Sequence, residues 1–161
     1  MQLRGLDGEQ GPGSAEGTRC PRWSVVETWR GIYPITAFVR DALHHKLASD
    51  TAMALSTSEN TLLTACDFWA SVTCGTLNDR LEPDPLINVW LAQRAFAQLG
   101  AFQVASKLRA SLEQLTRGPA PATTQEVAER LEDELTRTAD SVDELIARFA
   151  VEHIDMDAPR R

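Results

Sequence analysis

Apolar residues recur along this chain at spacings of three and four, the period of a helix buried on one side. The first clear stripe is Ile35, Phe38, Val39, Ala42 and Leu43. It predicts a helix over about residues 35–48. Ser56-Thr57-Ser58-Glu59 has the form of a capping box, in which Ser56 accepts from the N3 amide and Glu59 reaches back. It opens a predicted helix over 59–81, mostly buried, whose narrow polar strip is Thr64, Asp67, Ser71, Gly75 and Asn78. Pro83 and Pro85 then force a turn.

The longest helical pattern follows, over 85–117. Asp84 suits its N-cap and Pro85 its first position, where a missing N–H costs nothing. Gly118 and Pro119 suit its end. Its first half is apolar nearly all round, from Leu86 to Phe102, so enclosure by other helices is expected. Its second half is one-sided, with Val104, Ala105, Leu108, Leu112 and Leu115 on one face. A second capping box, Thr123 with Glu126, opens a helix over about 124–152. There Ala128, Leu131, Leu135, Thr138, Val142, Leu145 and Phe149 alternate at three and four, a coiled-coil-like seam. Ser141 with Glu144 has the form of a third box, where the helix is able to restart.

These patterns predict an all-α fold, a helical bundle of about four main helices. No internal repeat or β-branched run argues otherwise. At 161 residues a single domain is the default, and the 43% hydrophobic content supplies a core of ordinary size. That domain is expected over 23–161. Residues 1–22 hold five of the nine glycines and almost nothing to bury, so they read as a disordered leader. Trp23, Val26, Trp29 and Tyr33 then form an aromatic stripe expected to pack on the bundle or on a partner.

Charge narrows the function classes. Residues 123–157 carry 11 acidic and 3 basic side chains, a balance of −8; the net charge is −7, which leaves the remainder at +1. A DNA-binding role is not expected, because phosphates need a basic face. Thr124 to Leu131 opens like the first helix of a helix-turn-helix. Glu132 and Asp133 then stand where its turn needs small and apolar residues. The longest apolar run is interrupted by Asn88, Gln93, Arg94 and Gln98, so no membrane span is expected. Cys20, Cys66 and Cys74 are odd in number and lack metal spacing, which suits reduced thiols and a cytoplasmic protein. No secretory h-region is expected at the N-terminus.

Three residue sets suggest chemistry. Arg40 with His45 and Arg148 with His153 both have R-x4-H spacing. That motif resembles HEPN-type ribonucleases, small all-α proteins in which histidine would handle protons and arginine the scissile phosphate. On a regular helix such a pair points about 140° apart, so convergence needs a helix end or a dimer cleft. Glu126-x-x-Glu129 and Asp140-x-x-Asp143 resemble the Mg²⁺-holding acidic motifs of all-α nucleotide pyrophosphohydrolases; the plainer reading is a solvated acidic face. Glu152, His153, Asp155 and Asp157 offer at most incidental metal affinity. No residue set requires a cofactor, and no triad or phosphate loop is present.

The expectation is therefore a non-catalytic helical protein that acts by association, with another protein or with a second copy of itself. The expected face is the seam: Leu131, Leu135, Val142, Leu145 and Phe149. The alternatives are a small ribonuclease built on the arginine–histidine pairs, and an amphipathic surface binder.

Overall fold

The computed structural model describes residues 35–49 and 55–154, and among these every regular element is helical. The leader and the aromatic segment Trp23–Tyr33 lie outside the described residues. Seven helices are described rather than four: α1 (Ile35–Ser49), α2 (Thr57–Cys74), α3 (Leu77–Leu81), α4 (Pro85–Leu99), α5 (Phe102–Thr116), α6 (Thr124–Leu135) and α7 (Val142–His153). None is long and apolar enough to cross a membrane.

Three predicted long helices are each split, and two of the breaks share one cause. Gly75 ends α2 at φ 68° and Gly100 ends α4 at φ 83°, both left-handed. At each break the glycine amide donates three residues back, and the next amide donates five back: Gly100 to Ala97 and Ala101 to Phe96, Gly75 to Val72 and Thr76 to Ser71. This is the Schellman arrangement, which glycine adopts without the Cβ clash other residues would suffer. The chain reverses after Gly100, and α5 packs back along α4 as a hairpin. The predicted 85–117 helix is thus two helices. The third break, over residues 136–141, separates α6 from α7.

The caps read from sequence form in two boxes and one single cap. Ser56 accepts from the Glu59 amide (3.2 Å) while the Glu59 carboxylate accepts from the Ser56 amide (2.8 Å). Thr123 and Glu126 do the same at α6 (3.2 and 2.8 Å). Asp84 accepts from the Ile87 amide (3.1 Å) with Pro85 inside the first turn. The Ser141 box does not form, because Ser141 makes no side-chain cap bond.

Two helix starts are instead capped from elsewhere in the chain, one from α6 and one from the α6–α7 turn. The Leu77 amide at the start of α3 donates to Glu132 of α6 (2.9 Å). The Val104 amide in the first turn of α5 donates to Asp140 (3.0 Å), where Ala101 offers no side-chain cap of its own. So part of the acidic segment lies against the positive ends of neighbouring helices.

α2 is the centre and touches five of the other six described helices. Its Leu62, Cys66, Phe68 and Val72 are buried, and Phe68 and Trp69 both meet the edge of Phe96 on α4 (centroids 5.9 and 6.4 Å apart). Edge-to-face contacts of this kind favour a fixed ring arrangement beyond plain burial. Glu59 is also buried, with 1% exposure, and Lys46 of α1 donates to it. A buried carboxylate is tolerable here because the Ser56 amide and the Lys46 ammonium group stand in for its lost water.

Candidate interaction surface

The arginine–histidine pairs lie within single helices, so each pair diverges around its helix. Arg40 turns to its neighbour Asp41 (3.4 Å), and His45 is exposed on the same helix. The Arg148 guanidinium lies beside Gly100, where a Cβ would stand 3.5 Å from its Nη2. His153 folds back on Phe149, with the rings stacked at 4.1 Å, and its Nδ1 is 3.2 Å from the Phe149 carbonyl.

The structure brings together a different polar set. His44 Nε2 is 2.8 Å from Asp67 Oδ1, and Arg80 Nη2 is 3.6 Å from Asp67 Oδ2. This exposed cluster ties α1, α2 and α3 together. Sequence reasoning missed it because the three residues sit on three helices with no local spacing to relate them.

The acidic motifs separate in the same way. Glu126 belongs to its capping box and Glu129 accepts from Gln125 (2.9 Å). Asp140 caps α5, and Asp143 accepts from the Thr36 hydroxyl. Among the described residues no group of three or more histidine, cysteine, aspartate or glutamate side chains is placed to hold a metal ion. Asp155 and Asp157 lie outside the described residues. Cys66 is buried among apolar neighbours, which pushes its thiol well above the ordinary range, whereas Cys74 is exposed.

The heptad seam is used inside the bundle. Leu131, Leu135, Val142 and Phe149 are buried and Leu145 is half-buried, with the 136–141 break between the two halves. Leu47, Phe102 and Val151 are exposed on α1, α5 and α7, and the one row of several exposed large apolar side chains among the described residues belongs to α4. Its inner side, Val89, Ala92, Phe96 and Leu99, enters the core. Its outer side carries Leu86, Ile87, Trp90 and Leu91, between 42% and 53% exposed. Leu86, Ile87 and Trp90 join Leu112 of α5 to form a shallow groove of about 290 Å³. Arg94 lies over the Trp90 ring, 4.8 Å from its centroid, and closes one end with charge.

The all-round apolar pattern of 86–96 thus signals two surfaces. One faces the core; the other has no described helix over it. Among the described residues the enclosure is one-sided, because the chain turns at Gly100 and supplies α5 as a neighbour on one flank.

A second concavity of about 490 Å³ lies between α7 and the α4–α5 turn. Leu145 and Val151 give it an apolar floor, and Asp140, Glu144, Arg148 and Glu152 line its mouth.

Compared with protein-family models, with curated proteins and with solved structures, this chain matches none.

Proposed function

We propose that this protein is a non-catalytic helical adaptor or assembly component that binds another protein through the outer face of α4. The observation that carries the reading is the exposed row Leu86, Ile87, Trp90 and Leu91 beside Leu112. At about 200 Å² for a large apolar side chain, four that are each roughly half exposed present on the order of 400 Å². That suits an amphipathic helix laid along a groove, read by anchors three and four residues apart. It is about half of what each partner contributes to a standard interface, so the polar rim around Arg94 would extend the contact.

The disposition of polar residues supports the same reading. Of the acids that resembled a metal motif, Glu126 and Asp140 cap helices, Asp143 bridges two elements and Glu129 pairs within its own helix, and the arginine–histidine pairs diverge. Affinity capture from the native host tests the proposal, with the wild-type chain and Ile87→Glu side by side. Ile87 is 53% exposed, so the substitution leaves the fold in place. A partner retained by the wild type and lost with Ile87→Glu is expected. Equal retention by both would overturn the reading.

A further inference from the structure

We infer that the cleft between α7 and the α4–α5 turn is the docking site of this chain's own aromatic segment, Trp23–Tyr33. Three observations converge on that occupant. The first is position. The Thr36 hydroxyl of α1 donates to Asp143 in the first turn of α7. Residue 143 is adjacent in sequence to Glu144, which lines the cleft. Tyr33 lies three residues before Thr36, a span of at most about 11 Å at 3.3–3.6 Å per residue. The C-terminal end of the segment is therefore tethered within reach of the edge of this cleft.

The second is chemistry. The cleft has an apolar floor, Leu145 and Val151, and Val151 is 52% exposed. The segment brings two of the chain's four tryptophans and its single tyrosine. Trp23, Val26, Trp29 and Tyr33 recur in the sequence at spacings of three and four, an apolar stripe that needs an apolar surface to cover it. A volume of about 490 Å³ has room for aromatic side chains from that stripe.

The third is charge. The mouth carries Asp140, Glu144 and Glu152 against Arg148, a balance of −2. Trp23–Tyr33 itself is neutral, with Arg30 against Glu27, and Arg19 and Arg22, which lead into it, bring residues 19–34 to +2. Opposite fields orient the segment as it docks, and the short tether makes docking intramolecular, at high effective concentration. The α4 face would be left open for a partner, so this inference does not rest on the proposed function.

The test uses the full chain with Cys20→Ser, Cys74→Ser and Ser24→Cys, with a nitroxide on residue 24. Cys66 stays unlabelled because it is buried. Methyl NMR signals of Leu145 and Val151 are expected to broaden, while those of Ile87 and Leu91 stay sharp. Val151→Asp, at an exposed position, should abolish the broadening at Leu145 without loss of helix content. Broadening at Ile87 and Leu91 instead, or at none of the four, would overturn the inference. So would broadening seen only when labelled and isotope-enriched chains are mixed, since that would place a second copy in the cleft.

Discussion

At the scale of single residues, the acidic side chains near 132–143 matter more for helix ends than for surface charge. Asp140 is the sharpest case. Sequence spacing favours Ser141 as a cap of its own helix, yet Ser141 makes no cap bond and its neighbour Asp140 caps α5 instead. Asp140→Ala should cost about 1 kcal/mol, the usual value of a lost N-cap, and Ser141→Ala close to nothing. Urea unfolding of the two variants separates these outcomes; equal losses would put the cap back on Ser141. Glu126 supplies a pH-dependent companion. The Thr123 amide, and then its hydroxyl, hold the Glu126 carboxyl below its ordinary value of 4.5. A depressed folded pKa means the box supports α6 above that ordinary value and loses its grip as pH falls through the depressed one. An NMR titration should therefore place the Glu126 midpoint below 4.5. Thr123→Ala removes the hydroxyl and keeps the amide, so it should move the midpoint only part of the way upward, and an unchanged midpoint would refute the hydroxyl's share.

At the scale of elements, the self-capped helix starts and the stop before Gly118 were legible, and the breaks inside the long apolar patterns were not. Ser56 with Glu59, Asp84 with Pro85, and Thr123 with Glu126 declare themselves because a cap is a local bond between residues two or three apart. The break at Gly100 hides because the apolar period runs through it: Leu99, Ala101 and Val104 are all buried, but on two antiparallel helices rather than one. Periodicity reports which residues are inside, not whether the chain has reversed between them. The seam from Leu131 to Phe149 runs through its break for the same reason, since the α6–α7 turn returns the apolar side to the same core, and the Ser141–Glu144 spacing alone marks the restart at Val142. Gly100 then carries the reversal. Gly100→Ala should cost about 1–2 kcal/mol through the left-handed backbone alone. The added Cβ would meet Arg148 Nη2 at 3.5 Å, an ordinary contact. Thermal or urea unfolding checks this, and a neutral result would mean that the turn tolerates an L side chain.

At the scale of the whole molecule, the chain sorts its apolar residues into three destinations. Most enter the core around α2. The seam that suggested a coiled coil is absorbed there too, so Leu131→Ala should destabilise by about 2–5 kcal/mol, as deletions in a packed core do. The outer row of α4 remains outside, and the cleft beside α7 lies next to the point where the N-terminal segment arrives. The all-α class was readable from period alone. The association surface was not, because a helix apolar on every side looks the same whether one flank or both are covered. The burial of α4 distinguishes the two: Val89 and Phe96 are fully buried while Ile87 and Trp90 are about half exposed. The direct test is the affinity of the captured partner for three chains measured in parallel: wild type, Ile87→Glu, and Val151→Glu as an equally exposed apolar control on α7. At least about a tenfold loss, about 1.4 kcal/mol, is expected for Ile87→Glu and wild-type affinity for Val151→Glu. Unchanged affinity for Ile87→Glu, or a loss confined to Val151→Glu, would contradict the assignment of the α4 face.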